Sequence, residues 1–467
     1  MADQGVSDEK LGAIPEIERF REFLRIPTVS ANGPKGSYAK AVDYLSNMLK
    51  GICELKTVEC VKGKPILVAT VKGTNPKLPS VVLNCHYDVV PCVKDQWNCD
   101  PFEAILKDGT IVARGTQDMK CVVMQYVEAM LRILKAAAEE EKEGGGGKRK
   151  MLRTVHLLFM PDEEIAFGLN GAANDLCSGK TVMGLSRILV DLQDNDAFSV
   201  AGGVDGMAKF VGTKEFKDLN AGVALDEGLA NEGNAYTVFY GERAVWWVKI
   251  RAKGPTGHGS RFIKGTAMEK LIRSINCLLK FREEQHTKLH EGCRHSQALK
   301  LGDVATVNLT CLEGGVKING KYSLNVVPTD AMAGFDIRLP PTLPLDDFEE
   351  MLKKWTAEEG VSYEFVYKTP AHHVSSIDRE KSPFWGAFED CFKEEVKIDL
   401  VKEIFPAGTD GRYIRGAGIP VYGFSPIANT KIMLHEHNEF IGASEYLRGI
   451  VVYEKLIPSL ANLEPKK

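Results

Sequence analysis

SVVLNCHYDVV, residues 80 to 90, decides the fold class. Its apolar residues follow one another without polar alternation. That is the pattern of a strand covered on both faces, and such strands belong to parallel sheets packed between helices. Working outward, TVHLLFMP (154–161) and AGVALDEG (221–228) read as further buried strands. Between the first two lies MKCVVMQYVEAMLRILKAAAEEE, a long amphipathic helix, and upstream PEIERFREFLRI and SYAKAVDYLSNMLKGI also carry apolar residues at helical spacing. PILVATVKG adds a short strand before residue 80. The alternation predicts an α/β architecture, a mixed and mostly parallel sheet flanked by helices.

From about Tyr240 the rhythm changes. ERAVWWVKIRAKG alternates as a strand, AMEKLIRSINCLLKFREEQ is a helix, and ATVNLTCLEGG and DAMAGFDIRL are strands. LDDFEEMLKKWTAEEG is a second helix and VSYEFVYK a closing strand, so the order is β-α-β-β-α-β, that of a ferredoxin-like unit. Residues 240–370 are therefore expected to form an inserted domain, with 1–239 and 371–467 as one discontinuous domain. The tail returns to the first rhythm with a helix from about Pro383, a loop-like EIFPAGTDGRYIRGAG, the strand PVYGFSP and a closing helix. AAAEEEKEGGGGKRK (136–150) reads as a solvated loop.

The whole chain bounds its partners. At 467 residues it is too long for one ordinary core. A net charge of -4 gives no electrostatic reason to expect nucleic acid or an anionic membrane. The first residues lack a basic stretch followed by an apolar one, so no secretory signal is expected, and no apolar run approaches the ~18 residues of a membrane span. Eleven cysteines without a C-x-x-C imply free thiols in a reducing compartment and a cytoplasmic location.

The chemistry gathers after strands. His86 and Asp88 end the opening stretch as H-x-D, which puts both side chains on one side of the pleat. The imidazole suits a metal, and the carboxylate suits its other ring N–H. Asp118 lies between a strand and the long helix, Glu163 and Glu164 follow TVHLLFMP, and Asp226 and Glu227 end AGVAL. Open α/β sheets place ligands at the carboxyl ends of their strands. LHEHNE adds His435 and His437. Two histidines, Asp, Glu and no thiolate form a donor set for zinc, or for cobalt or manganese in its place. His86, Asp118, Glu164, Glu227 and His435 are too many for one tetrahedral ion and fit two ions sharing a carboxylate. Either Glu163 or Glu164 is then left as general base.

HYDVVP with W-x-x-DPFEA, ARGTQDMKCVVMQYVEA, PDEE, ALDEGLAN, ERAVWWV, GHGSRF, NLTCLEGG, AGTDGRYIR and GFSP…LHEHNE together resemble the aminoacylase-1 family. That family is a branch of the two-zinc clan that includes carboxypeptidases and dipeptidases. The similarity runs from about Ile17 to about Leu460. It implies two zinc ions per subunit: His86 and Glu227 on the first, Glu164 and His435 on the second, Asp118 bridging both. It implies Glu163 as general base, Asp88 as a catalytic residue orienting His86, and Arg412 as the clamp on the substrate α-carboxylate. His258 and Asn308 of the inserted domain would complete the site of a partner subunit in a homodimer. The implied reaction is hydrolysis of N-acyl-L-amino acids, with short acyl groups and aliphatic side chains. A dipeptidase or carboxypeptidase on the same scaffold, or an inactive paralogue, are the alternatives.

Two segments depart from the family pattern. Residues 166–201 stand between the paired glutamates and Gly202-Gly203, which in the family follow almost at once. Either this insert loops out and leaves the site intact, or it displaces the helix turn that supports Glu164. INGKYSL (318–324) is a smaller addition, expected in a hairpin loop.

Overall fold

The computed structural model describes residues 7–142, 151–164, 202–291, 299–371 and 373–465. The insert expected at 166–201 and most of the glycine-rich run lie outside the described residues. The chain divides into two compact units. The first comprises Met1–Tyr240, Ser375–Lys402 and Thr409–Lys467, and the second Gly241–Val374 and Glu403–Gly408.

The first unit is built on an eight-stranded sheet. Its strands are β1 (Glu54–Val61), β2 (Lys64–Val71), β3 (Ser80–His86), β4 (Val155–Met160), β5 (Ala221–Asp226), β6 (Tyr236–Glu242), β7 (Leu400–Phe405) and β8 (Val421–Phe424), in the spatial order β1-β2-β4-β3-β5-β8-β6-β7. The central strands β4, β3, β5 and β8 run parallel, while β1 with β2, β2 with β4 and β6 with β8 pair antiparallel. The sheet is mixed, as the sequence predicts.

The unbroken apolar run of β3 has a direct cause. Val81, Leu83 and Cys85 enter one core with helices α1 (Pro15–Leu24), α2 (Tyr38–Leu49), α3 (Lys120–Lys142) and α5 (Ala443–Ala461). Val82 enters a second core on the opposite face with Met207, Phe210 and Ile414. At about 25 cal/mol per Å² of apolar surface, both faces favour burial, and a polar residue on either would lose that gain. The stretch EIFPAGTDGRYIRGAG is not a plain loop: EIF completes β7, and Gly411–Gly416 forms a short helix, α4. No helix among the described residues is long and apolar enough to cross a membrane.

The second unit has a four-stranded antiparallel sheet in the order Thr306–Gly314, Asp330–Leu339, Ala244–Lys253, Val361–Lys368. With the helices Ala267–Glu291 and Leu345–Trp355 this is the ferredoxin-like arrangement. Trp246, Ile250, Leu271, Phe335 and Phe348 form its core. INGKYSL takes part in a small hairpin, Lys317–Ile318 against Lys321–Tyr322.

Candidate active site

Three neighbouring parallel strands end at one place. β3 ends on His86, β4 leads to Glu163 and Glu164, and β5 leads to Glu227. Asp118 arrives just before α3, and His435 from a loop in which its own φ is +61°. The deciding contacts are those of Asp118. Its Oδ1 lies 3.3 Å from His86 Nε2 and its Oδ2 3.3 Å from His435 Nε2. Each histidine also meets a glutamate: Glu227 Oε2 is 2.8 Å from His86 Nε2, and Glu164 Oε2 is 2.9 Å from His435 Nε2. Donor atoms of His86, Asp118 and Glu164 lie within 4.8 Å of one another, and so do those of His86, Glu163 and Glu227.

The electrostatics of the cluster call for cations. Burial, reinforced by the charge of Asp118, pushes the Glu164 carboxyl up to about 7. Burial, then Glu227, raises Glu163, and burial raises Glu227 well above its ordinary value. Burial is the largest influence and would hold both imidazoles low, but it is outweighed at His86 by the charge of Glu227 together with hydrogen bonds to Asp118, Asp88 and Glu227, and at His435 by the hydrogen bonds and charges of Asp118 and Glu164 together. Both rings are thereby raised toward the charged form. Among the described residues, buried Oε1 of Glu164 and Oε2 of Glu227 have no hydrogen-bond donor; the short approach of Glu227 to His86 lacks hydrogen-bond alignment. Buried carboxylate oxygens left without donors beside two imidazoles are a set of atoms that a metal ion can satisfy.

Asp88 does more than the sequence suggests. The ring nitrogen Nδ1 of His86 lies 3.0 Å from the main-chain carbonyl of Asp88 and 3.4 Å from its carboxylate. The carboxylate also accepts the amides of Glu163 (3.1 Å) and Glu164 (3.0 Å). One buried residue thus orients a histidine with its backbone and both glutamates with its side chain. Arg412, on α4, donates through Nη1 to Thr409 O at 2.7 Å and through Nη2 to Gly202 O. His258 and Asn308 belong to the second unit. Both are exposed; His258 Nδ1 lies 2.8 Å from Ser260 Oγ, and Asn308 Oδ1 accepts from Arg282 at 3.4 Å. His437, beside the ligands in sequence, packs its ring edge-on to Trp97.

The chain on either side of the insert is tied together. Gly203 N donates to Asp162 O at 2.7 Å, and a Cβ on Gly202 would stand 1.9 Å from Glu163 O. Arg114, Gln117 and Glu439, buried residues around the Asp118 loop, lie within ARGTQDMK and LHEHNE, but nothing local in those stretches marks their role.

Residues 82–459 match the model of Peptidase family M20/M25/M40. Aminoacylase-1 of Dictyostelium discoideum is 45% identical over 95% of this chain and 97% of its own length. Aminoacylase-1 of Homo sapiens is 39% identical over 99% and 98%. The chain belongs to the aminoacylase-1 branch of this peptidase family. Among solved structures, an M20 family metallo-carboxypeptidase from Sulfolobus solfataricus shares the fold at a TM-score of 0.63, with 19% identity over 96% of this chain and 100% of that one. The donor atoms of the His/Asp/Glu cluster are close enough together to hold a metal ion.

Proposed function

We propose that this chain hydrolyses N-acyl-L-amino acids to a free amino acid and a carboxylate, favouring short acyl groups and aliphatic side chains. Family membership makes it an amidohydrolase acting on a small molecule. The alternatives on the same scaffold are not favoured, because the relatives at 39–45% identity are aminoacylases over nearly the full chain. The observation that carries the chemistry is the divided Asp118 carboxylate, with one oxygen toward each histidine and a glutamate beyond each.

Two divalent ions fit this donor set, and its nitrogen and oxygen atoms suit zinc. His86 and Glu227 would hold one, Glu164 and His435 the other, and Asp118 both. Bound there, such a pair acidifies water and polarises the acyl carbonyl. Glu163 accepts the proton of the attacking water. As the C–N bond breaks it delivers that proton to the leaving amine. Asp88 keeps Glu163 in place through its amide. Arg412 offers a planar fork for the substrate α-carboxylate, a task that suits guanidinium better than ammonium.

His258 of the partner subunit stabilises the oxyanion, where donation acts mainly on the transition state, and Asn308 of the partner subunit joins it. A homodimer through the second unit is supported by an edge strand, Thr306–Gly314, and by the exposed apolar side chains of Leu312, Ile272 and Leu279. A cytoplasmic location is supported by free cysteines throughout the described residues.

Initial rates on N-acetyl-Met and on a simple dipeptide, before and after chelation, test the reading. The acetylated substrate is expected to be cleaved faster, with a rate that falls at least about tenfold on chelation and returns with zinc. Faster dipeptide cleavage, or an undiminished rate without metal, overturns it.

A further inference from the structure

Two ligands of the same proposed ion stand on loops. Asp118 ends the loop 113–118, and His435 lies within 431–439. The loops leave a common ladder, where Thr110–Val112 pairs antiparallel with Phe440–Gly442. Beyond that ladder the main chain bends sharply: His435 and Asn438 have φ of +61° and +58°. Such conformations are strained and persist only where surrounding bonds hold them.

The holding bonds run crosswise. Glu439, from the histidine loop, is fully buried and turns its carboxylate into the aspartate loop. Its Oε1 accepts from Gln117 N at 2.6 Å, Asp118 N at 3.3 Å and Thr116 Oγ1 at 3.3 Å. Its Oε2 accepts from Arg114 Nη1 at 2.7 Å and Gly115 N at 3.1 Å. Gln117, from the aspartate loop, answers in the other direction. Its Nε2 donates to Lys431 O at 3.0 Å and Phe440 O at 2.8 Å, and its Oε1 accepts from Met433 N at 3.0 Å. Arg114 adds Nη2 to His435 O at 3.4 Å. Every polar atom of the Gln117 side chain is spent on the histidine loop or the first residue of the strand that follows it, and both oxygens of Glu439 on the loop that carries the aspartate.

We propose that Glu439 and Gln117, joined by Arg114, form a reciprocal clamp that presents Asp118 and His435 as one unit and so sets the affinity of the ion those two share. These are positioning residues; none touches substrate. The inference rests on the ligand assignment proposed above. The clamp holds two of the three ligands of the Glu164–His435 ion but only one of the His86–Glu227 ion. Loosening it therefore acts unequally on the two. Glu439→Gln keeps the shape but sets an NH₂ against either the Oε1 or the Oε2 donors, leaving buried donors unpaired. Gln117→Met keeps the length and removes all three of its bonds while leaving Glu439 intact.

The test is titration of metal-free full-length protein with Zn²⁺ against a chelating indicator, with Co²⁺ absorption as a second reading of each site and a thermal melt alongside. The wild type is expected to take up two ions. In each variant one of the two ions, the one assigned to Glu164, Asp118 and His435, should lose about 10–100-fold in affinity while the other changes less than about threefold. The double variant should lose no more than the worse single one, since either break opens the same clamp. A merely structural role would lower the melting temperature and leave both affinities of the folded protein unchanged, which overturns the proposal. So does equal weakening of both ions, or losses that multiply in the double variant. If Glu439→Gln fails to fold, Gln117→Met decides by the same criteria. A wild type that takes up fewer than two ions overturns the ligand assignment, and the clamp with it; two ions in the wild type with unaltered variants overturns the clamp alone.

Discussion

Gly202→Ala is the smallest change that should disable this site. The glycine is not needed for its backbone angles, because its φ lies outside the left-handed region. It is needed for closeness. An added Cβ would stand 1.9 Å from the carbonyl oxygen of Glu163, and ordinary contact begins at 3.4 Å, so the two segments must part by about 1.5 Å. Neither side can yield freely. Glu163 is held through its amide by Asp88, while Gly202 O accepts from Tyr413 Oη at 3.0 Å and from Arg412. Either the proposed base or the proposed carboxylate clamp is therefore displaced. A misplacement of about 1 Å costs on the order of 100-fold in rate, or roughly 2.7 kcal/mol of barrier. We expect kcat/KM on N-acetyl-Met to fall about 100-fold, with a stability loss of roughly 1–3 kcal/mol from overpacking. Gly416→Ala is the control: nothing lies within 4 Å of its Cβ position and its φ is not positive. It should leave the rate unchanged. A folded Gly202→Ala enzyme with wild-type kcat/KM would refute the reasoning.

Two further outcomes are expected. Glu163→Gln should keep its metal content while kcat falls about 10²–10⁴-fold; metal-replete variant at the wild-type rate removes Glu163 from the role of base. His156, on β4 away from the site, is held neutral by burial, which lowers its pKa to about 4. The unfolded chain takes up that proton near pH 6.5 and the folded one only near 4. The contribution is thus complete above pH 6.5 and is lost as pH falls toward 4, amounting to about 2 kcal/mol between pH 7.5 and 5. Urea midpoints of the wild type and His156→Gln at those two pH values measure it, and an equal acid loss in both would count against the assignment.

The site was legible where it rests on sheet geometry. A strand buried on both faces leaves no room for polar alternation, so SVVLNCH announces a parallel sheet and places its histidine at the end where ligands gather. Glu163, Glu164 and Glu227 follow strands β4 and β5 for the same reason. What escaped is set by contacts between segments far apart in the chain. Asp88 reads as the partner of the nearest ring, two residues away, yet its carboxylate is taken by amides more than seventy residues on. Nothing local marks Glu439, in a loop, as the acceptor for a loop more than three hundred residues earlier. EIF reads as loop because a Pro, Gly and Asp follow it closely, although it lies on a sheet strand.

The bond from Gly203 N to Asp162 O has a consequence for how this chain could have changed over time. It joins main chain to main chain, so no side chain has to be conserved for it to form. Closure entropy grows only logarithmically with the number of residues between two tied points, so a long addition costs little more than a short one. A sequence added beyond Glu164 and ended before Gly202 therefore meets a doorway already latched. Selection can try out length and composition there while the glutamates on the near side keep their places.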